Sequence, residues 1–246
     1  MDTKKTHFGF RKVDVNEKVK LVDNVFSSVA SRYDLMNDLM SLGLHRIWKQ
    51  FAVMACGVRA NMRVLDLAGG TADMAVRIKP LLKDGGLLTV ADINEAMLAE
   101  GQRRLYDLGY AGVPFIRCDA ESLPFADNTF DCVVVAFGLR NMASKQAALG
   151  SILRVLKPAG RLVVLEFSKP HAWLQRFYQW YSFNVIPKLG AYVVGDEESY
   201  RYLVESIRIH PDQTTLGAMI GEIGFRQCEV YNLSAGIVAI HRAYKY

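Results

Sequence analysis

From residue 60 onward, short apolar runs alternate with longer stretches of helical periodicity. The apolar runs are nearly continuous, which is typical of strands that are covered on both faces in a parallel sheet. Repeated strand–helix–strand units of this kind predict a doubly wound α/β fold. The predicted strands cover residues 63–67, 87–92, 114–118, 130–137 and 161–167, and the predicted helices between them cover 71–82, 94–109 and 144–158.

Both ends of the chain depart from this alternation. Near the C-terminus, residues 212–225 predict a helix, and two strand-like runs follow at 226–233 and 236–244. The short turn at Ser234–Gly236 predicts a hairpin, which adds an antiparallel strand and brings the mostly parallel sheet to seven strands. At the N-terminus, residues 15–57 have a helical pattern and predict extra helices ahead of the sheet.

Composition and charge narrow the class of protein. The chain has 246 residues, of which 51% are hydrophobic and 22% are charged, so it can bury a large core. The net charge of +5 suits an anionic ligand or a membrane surface. The basic residues are scattered, however, without an arginine-rich arm or a long basic helix, so nucleic-acid binding is not expected.

Cysteine usage and hydropathy bear on location. The four cysteines are far apart and form no CxxC pair, so neither a metal site nor a disulfide framework is expected. Residues 1–20 lack the apolar core of a secretory signal, and the sequence contains no apolar run of the ~18 residues that a membrane-spanning helix needs. We therefore expect a cytoplasmic protein with reduced thiols, at most peripheral at the inner face of the cytoplasmic membrane.

The loop at 68–73, AGGTAD, follows the first predicted strand and is the first candidate binding element. Ligands of doubly wound folds bind outside the carboxyl ends of the strands. A dinucleotide fingerprint needs G-x-G-x-x-G, but here Ala68 replaces the first glycine and Asp73 the third. Asp73 would also bring negative charge toward a pyrophosphate. The pattern therefore disfavours a dinucleotide.

An amino-acid ligand suits the same loop better. The backbone N–H groups of Gly69, Gly70 and Thr71 are expected to approach a ligand closely because the glycines lack side chains. Asp66, at the end of the strand, is expected to face an ammonium group. A positively charged sulfonium also tolerates neighbouring acids, so the methionyl part of an adenosyl ligand fits here.

Acidic residues follow the next two strands as well. Asp92 ends the second strand and is expected to accept hydrogen bonds from ribose hydroxyls, with a role as an N-terminal helix cap as the alternative. Asp119 follows the third strand and is expected to accept a hydrogen bond from an adenine amino group. The Ala120 N–H would reach a ring nitrogen, and Leu123 and Phe125 would supply apolar surface. Acids in this order predict an adenosyl ligand that lies across the sheet.

These loops resemble those of class I S-adenosylmethionine-dependent methyltransferases. The shared segments are VLDLAGGTAD at 64–73, ADIN at 91–94, DAESLPFADNTFD at 119–131 and RVLKPAGRLVVLEFS at 154–168. The resemblance implies S-adenosyl-L-methionine as the cofactor and a Rossmann-like fold. For cofactor binding it implies roles for Thr71, Asp92, Asp119 and Ala120.

Three further segments resemble the UbiE-type quinone C-methyltransferases more narrowly. They are YDLMNDLMSLGLHRIW at 33–48, AFGLRN at 136–141 and SYRYLVESIRIHPDQ at 199–213, and the resemblance runs from residue 6 to the C-terminus. Those enzymes methylate a ring carbon of demethylmenaquinol and of a methoxy-polyprenyl-benzoquinol. The resemblance therefore implies C-methylation of a reduced, prenylated quinone ring in menaquinone or ubiquinone synthesis.

The chain departs from the family pattern at three alanines. Ala72 stands where the family loop usually has a glycine, and Ala159 stands in the second glycine position of RVLKPGG. These changes predict that neither position needs a positive φ angle. Ala136 replaces a serine before the GLRN segment, so it supplies no hydroxyl and is not counted as a ligand residue.

Methylating an aromatic carbon requires a nucleophilic ring that is aimed at the methyl group. Arg140 and Asn141 follow the fourth strand, where substrate and cofactor should meet, and are the predicted catalytic residues. Arg140 is expected to stabilise a phenolate or to hold a water, with a structural salt bridge as the alternative. His45 and His210 are interpreted as structural histidines rather than as bases.

Residues 171–192 contain a dense group of aromatic residues. They predict a lid over the ring or a contact with the bilayer interface. Packing of an extra helix against the sheet is the alternative. The aromatic residues are Trp173, Phe177, Tyr178, Trp180, Tyr181, Phe183 and Tyr192.

Taken as one domain, residues 1–246 divide into four predicted segments. These are an N-terminal helical cap (1–60), a cofactor-binding core (61–168), substrate and lid helices (169–224) and a closing hairpin (225–246). Expected partners are a prenylated quinol, a membrane surface, and a quinone-biosynthesis complex or a second copy of the chain. Three other functions stay open: methylation of another small lipophilic molecule or phospholipid, NAD-dependent oxidoreduction, and a non-catalytic adenosyl-binding scaffold.

Overall fold

A mixed sheet forms the centre of the computed structural model, which describes residues 5–29, 33–83, 85–185 and 197–246. The strands of the chain are β1 (Lys5–Phe8), β2 (Arg11–Asp14), β3 (Arg63–Leu67), β4 (Leu87–Asp92), β5 (Phe115–Arg117), β6 (Phe130–Ala136), β7 (Leu156–Phe167), β8 (Arg226–Leu233) and β9 (Val238–Tyr244). Seven of them form the central sheet in the order β5-β4-β3-β6-β7-β9-β8. The predicted doubly wound, seven-stranded architecture is therefore confirmed.

Strand direction also follows the prediction. β3, β4, β5, β6 and β7 pair in parallel, whereas β9 pairs antiparallel with both β7 and β8. In the register, Asp66 lies opposite Val90 of β4 and Val134 of β6. The carboxyl ends of these three strands therefore meet at one edge, where the chain order reverses from one side of β3 to the other.

Helices cover both faces of the sheet. They are α1 (Val15–Val29), α2 (Tyr33–Ser41), α3 (Leu44–Cys56), α4 (Asp73–Ile78), α5 (Glu95–Asp107), α6 (Lys145–Val155), α7 (Ala172–Asn184), α8 (Glu197–Ile209) and α9 (Gln213–Ile223). Buried side chains of α3, α4 and α5 pack on one face, and those of α6 and α9 pack on the other. None of the helices in the described ranges is long and apolar enough to cross a membrane.

Helix ends follow local sequence signals. The side chain of Asn94 accepts a hydrogen bond from the Met97 N–H and caps α5, and Ser144 caps α6 through the Ala147 N–H. Gly224 ends α9 in the left-handed conformation. The helix predicted to extend to residue 158 ends earlier, at Val155, because the chain becomes extended ahead of Pro158 and β7 begins.

We predicted a helical cap for residues 1–60, but this segment also contains two strands. β1 and β2 form a separate antiparallel hairpin, joined at Gly9, whose φ angle is 55°. These strands are short and rich in charged residues, so the apolar alternation that marks a strand is missing from their sequence. The hairpin contacts α8, because the Phe8 ring stacks on Tyr202 with ring centroids 4.1 Å apart.

Both alanines that replace family glycines adopt the left-handed conformation. The φ angle is 61° at Ala72 and 60° at Ala159, so the prediction that neither position needs a positive φ is wrong. Tight turns impose the angle, since the Ala72 N–H donates to the Gly69 carbonyl at 2.8 Å and the Ala159 N–H donates to the Lys245 carbonyl at 2.8 Å. The alanines therefore accept local strain rather than remove the need for it.

Candidate active site

A cavity opens at the carboxyl ends of β3, β4 and β6. All seven residues that we predicted to bind a cofactor line it. Of the two predicted catalytic residues, Asn141 lines this cavity as well. The seven cofactor-site residues are Asp66, Gly69, Gly70, Thr71, Asp92, Asp119 and Ala120.

The glycine loop lines the cavity but does not offer a ligand every backbone donor. The Gly69 N–H donates to the Ala91 carbonyl at 3.1 Å, and the Gly70 N–H donates to Asp92 Oδ2 at 2.9 Å. Both donors are therefore used within the protein, which corrects the expectation that they face a ligand. A Cβ atom on Gly69 would lie 2.8 Å from Val90 Cγ1, so this residue must be glycine for steric reasons.

Asp66 is a buried acid whose charge is not neutralised within the protein. Its side chain is 1% exposed, and neither carboxylate oxygen has a hydrogen bond of standard geometry to the described residues. Burial raises the pKa of Asp66 to about 7, and the Ala75 N–H and Lys49 offset this only in part. A buried, unsatisfied carboxylate on a cavity wall fits the ammonium group of an amino-acid ligand.

Lys49 of α3 adds a cation to the same end of the cavity. Its Nζ atom lies 2.7 Å from Asp73 Oδ2, and both side chains are buried. Burial acts to raise the pKa of Asp73, but Lys49, Arg77 and Arg104 outweigh it and lower that pKa below its usual value. The loop therefore does not present the free negative charge that the sequence indicated. Lys49 was missed because it lies on a helix remote in sequence.

Asp92 occupies the next position along the edge. Its two oxygens accept hydrogen bonds from the Gly70 and Asn94 N–H groups, both at 2.9 Å. Burial raises the pKa of Asp92. Since Asn94 is the cap of α5, the alternative role of Asp92 as that helix cap is not needed. The carboxylate is held rigidly and retains acceptor capacity for ribose hydroxyls.

The Asp119–Ala120 turn forms the far end of the cavity. Asp119 Oδ1 accepts a hydrogen bond from the Glu121 N–H at 2.9 Å, which fixes the turn. Leu123 and Phe125 do not line the cavity, contrary to expectation. Leu123 is buried in the sheet–helix core, and the Phe125 ring packs edge-on against Phe130 at 5.1 Å. Their apolar spacing is explained by the core rather than by a ligand.

Helix α1 covers the cavity from the N-terminal side. The Asn94 side-chain amide donates to Asp23 Oδ1 and to Ser27 Oγ, both at 2.8 Å, and so joins α1 to the loop after β4. Val22 and Phe26 of α1 line the cavity. Sequence reasoning placed helices here but did not identify these residues, since an ordinary amphipathic helix gives the same pattern.

Arg140 does not line the cofactor cavity. Its side chain is 3% exposed. The Nη1 atom lies 3.0 Å from Glu166 Oε1 and also donates to the Phe137 carbonyl. The guanidinium also lies over the Phe167 ring, 5.4 Å from its centroid. The geometry corresponds to the structural salt bridge that we gave as the alternative, and it corrects the prediction of direct catalytic contact.

Asn141, by contrast, faces the cavity and is held in place by a neighbour. The Tyr202 hydroxyl of α8 donates to Asn141 Oδ1 at 3.0 Å. Burial raises the pKa of Tyr202, so its hydroxyl stays protonated and remains a donor. With Oδ1 occupied, the Asn141 side-chain NH₂ is the group left to contact a ligand.

The two histidines in family-like segments lie away from the cavity lining. His45 Nε2 is 2.8 Å from Asp38 Oδ1, yet burial, the largest cause, lowers the pKa of His45. His210 is 4% exposed, and burial lowers its pKa to about 2, so the ring is neutral. Both positions agree with the structural interpretation of these residues.

A second cavity, of about 200 Å³, lies beside the first. Its walls come from α2, β7, α7 and α8 and combine apolar with polar side chains. The apolar and aromatic ones are Met40, Phe167, Tyr178, Leu203, Val204 and Ile207. Among the described side chains of the predicted lid, Tyr178 lines it, whereas Tyr192 and the side chains of Phe177 and Phe183 lie outside the description.

An aromatic pair separates the two cavities. Phe137 lines the first and Phe167 the second, with ring centroids 4.8 Å apart. Phe137 has a φ angle of 58°, which is rare for a bulky side chain and is often found at functional sites. The pair therefore forms part of the wall between the two cavities.

Comparison with known proteins agrees with this geometry. Residues 12–245 match the model of the ubiE/COQ5 methyltransferase family. The ubiquinone/menaquinone biosynthesis C-methyltransferase UbiE of Pasteurella multocida is 56% identical over 243 residues, covering 98% of this chain and 91% of that protein. UbiE of Escherichia coli is 53% identical over 243 residues, covering 98% and 97%.

Solved structures share the fold at much lower identity. An S-adenosylmethionine-dependent methyltransferase from Thermotoga maritima superposes with a TM-score of 0.65 at 18% identity, covering 91% of this chain and 99% of that one. One from Aquifex aeolicus gives a TM-score of 0.58 at 16% identity, covering 95% and 100%. The family match spans nearly the whole sequence and its cofactor residues share one cavity, so the chain belongs to the ubiE/COQ5 methyltransferase family and is an S-adenosylmethionine-dependent methyltransferase.

Proposed function

We propose that this enzyme transfers a methyl group to a ring carbon of a reduced, prenylated quinone, as its relatives' role in ubiquinone and menaquinone biosynthesis suggests. The observation that carries the proposal is the second, largely apolar cavity, which meets the cofactor cavity across Phe137 and Phe167. A ring with an isoprenoid tail needs such a pair of spaces. The alternative function of NAD-dependent oxidoreduction is rejected, because the matching family is one of methyltransferases.

In the cofactor cavity, Asp66 would face the ammonium group of S-adenosylmethionine and Lys49 its carboxylate. Thr71 and the backbone of Gly69 and Gly70, which line the cavity, would contact the methionyl chain. Further along, Asp92 would accept hydrogen bonds from the ribose, and Asp119 and Ala120 would contact the adenine. The bound cofactor supplies an electrophilic methyl group, and these residues hold it in one orientation.

Asn141 would act on the substrate. Its NH₂ group, fixed by the Tyr202 contact, would donate to a quinol oxygen and hold the adjacent ring carbon in line with the methyl group. The cofactor would supply the methyl group for the new carbon–carbon bond and would keep the electron pair of the methyl–sulfur bond as a neutral thioether, and the ring proton would pass to solvent water. Arg140 would be a structural residue, because it ties the Phe137 carbonyl and Glu166 together next to the cavity.

We also propose that the enzyme works as one domain, with the four segments given above, at the inner face of the cytoplasmic membrane. A substrate with an isoprenoid tail is present there at its highest concentration. Trp173 and Trp180 of α7 are exposed to 75% and 57%, and exposed tryptophans favour the bilayer interface. A quinone-biosynthesis complex or a homo-oligomer is compatible with the same location.

A methyl-transfer assay with labelled S-adenosylmethionine tests the function. Short-tailed demethylmenaquinone and methoxy-benzoquinone are each offered with and without a reductant, and Asn141→Ala serves as the variant control. Label on the ring only under reduction, and lost in the variant, is the expected result. Cofactor binding without transfer to either ring would refute the substrate assignment and favour a different lipophilic acceptor.

A further inference from the structure

One side of α3 is apolar and exposed. The side chains of Leu44, Ile47, Phe51 and Met54 are 39%, 54%, 45% and 65% exposed, and their spacing of three, four and three residues aligns them along one side. Leu42, just ahead of the helix, is 78% exposed. We call these five side chains the α3 face.

The opposite side of the same helix belongs to the core. Trp48, Ala52, Val53 and Cys56 are buried against the sheet. An amphipathic surface helix normally turns polar residues to solvent, so a helix that is apolar on both sides is expected to be covered on both. The α3 face is therefore a surface for a partner rather than for water.

The sequence around the α3 face is mostly basic, and the nearby acids are Asp38, ahead of the helix, and Asp84, next to Lys83 in the sequence. Residues 39–65 contain no Asp or Glu, although they include four Lys or Arg residues, Arg46, Lys49, Arg59 and Arg63. Arg59 and Lys83 are exposed at the C-terminal end of α3, where the Lys83 N–H donates to the Ala60 carbonyl at 2.9 Å. Arg46, at the other end, pairs with Asp38. Exposed basic charge therefore lies just beyond the C-terminal end of the α3 face, at Arg59 and Lys83, and we call these two residues the basic rim.

We infer that the α3 face docks on an anionic lipid surface. Apolar side chains beside the basic rim match the acyl and phosphate layers of such a membrane. A second copy of the chain fits less well, because a symmetric contact would bring the basic rim against itself. The inference rests on the proposed function, which requires access to a substrate in the bilayer.

The position of the α3 face agrees with delivery of such a substrate. Met40 lines the second cavity, and Leu42 follows it two residues later at the start of the α3 face. Docking through this surface would bring the second cavity close to the bilayer. A tail would then pass between membrane and enzyme with little exposure to water.

Co-sedimentation with vesicles tests the inference and needs no substrate. The wild-type protein should bind vesicles rich in phosphatidylglycerol and bind phosphatidylcholine vesicles much more weakly. The double variant Ile47→Glu with Phe51→Glu should lose more than about tenfold in partitioning, and Arg59→Gln or Lys83→Gln about fivefold each. The matched control, called the α5 control, is Tyr106→Glu with Leu108→Glu, since these exposed residues at the C-terminal end of α5 lie outside the α3 face.

Three results would overturn the inference. The first is that the wild-type protein does not bind the anionic vesicles. The second is that the α5 control loses as much vesicle binding as the α3 variant, Ile47→Glu with Phe51→Glu. The third is that the α3 variant changes from dimer to monomer in the absence of vesicles. Methyl transfer to a short-tailed quinol in solution is measured in parallel and should be unchanged in the α3 variant. Failure of that transfer in the wild type would refute the proposed function and leave the vesicle result standing.

Discussion

The Tyr202 hydroxyl donates a hydrogen bond to Asn141 Oδ1 at 3.0 Å and so connects α8 to the wall of the cofactor cavity. Asn141→Ala should lower kcat about 100-fold, because it removes the side-chain donor that we propose for the quinol oxygen. The dissociation constant of S-adenosylmethionine should hardly change. Single-turnover kinetics and cofactor titration measure the two quantities separately.

Tyr202→Phe provides the graded control for this pair. It keeps the ring that stacks on Phe8 but removes the hydroxyl, so Asn141 loses its anchor and gains rotational freedom. We expect a smaller loss of kcat than in Asn141→Ala. A loss confined to KM would argue against a positioning role for the hydroxyl.

The pH dependence of cofactor affinity should report on Asp66. Its pKa of about 7 lies above the unfolded value, so the folded protein binds the extra proton below pH 7 and its stability falls as pH rises toward 7. A cationic ligand favours the ionised carboxylate. The affinity for S-adenosylmethionine should therefore rise between about pH 5.5 and pH 7.5.

Asp66→Asn tests that assignment, because it removes the titrating group from between Lys49, Asp73 and Asp92. The variant should bind the cofactor weakly and with a flat profile in this pH range. An unchanged slope would assign the titration to another group.

The Arg140–Glu166 pair should matter chiefly for stability. Arg140→Met leaves a buried carboxylate unpaired and should lower the free energy of unfolding by about 3 kcal/mol. Replacing both residues by methionine should recover part of the loss. Denaturant titration measures the free energy of unfolding of both variants. The control is Arg117→Met, which removes an exposed ion pair with Glu95 and should hardly change that free energy. A stable Arg140→Met protein with greatly reduced kcat would instead restore the catalytic interpretation.

Ala72→Gly should stabilise the protein by about 1 kcal/mol, because glycine adopts a φ angle of 61° without strain. The same change at Ala147, on an exposed turn of α6, should destabilise by a similar amount. Thermal unfolding shows whether each substitution raises or lowers the stability of the protein. Destabilisation by both substitutions would mean that the Ala72 methyl, which is fully buried, contributes more packing energy than the turn costs.

Filling the second cavity should make the enzyme sensitive to tail length. Val204→Phe replaces an isopropyl group with a larger phenyl ring in the cavity lined by Met40, Phe167 and Leu203. Transfer to a quinol without a tail should be nearly unchanged, whereas KM for a substrate with several isoprene units should rise at least about tenfold. Equal effects on both substrates would exclude the cavity as the tail site.

Much of the fold could be predicted from the sequence because its signals are local. Continuous apolar strands, the caps at Asn94 and Ser144, and the turn at 234–236 each specify their own element. The acids at the strand ends were likewise found from their place in the order of strands. Parallel pairing then brings Asp66 and Asp92 to one edge without further information.

What the sequence could not provide were contacts made across long separations. Lys49 and Asp73 are 24 residues apart, and the roles of Arg140 and Glu166 depend on a contact across 26 residues. The strain at Ala72 was also hidden, since alanine usually indicates an ordinary backbone. In each case the tertiary environment overrides the preference of the residue itself.

The N-terminal hairpin has a consequence for the timing of synthesis. Thr6 Oγ1 donates to the Ala143 carbonyl at 3.2 Å, and the Phe10 N–H donates to Glu205 Oε2 at 3.1 Å. Residues made at the start of translation therefore complete their contacts only after α8 has left the ribosome. Until then the reaction space lacks one wall, so a nascent chain can assemble most of its sheet and still be unable to turn over substrate.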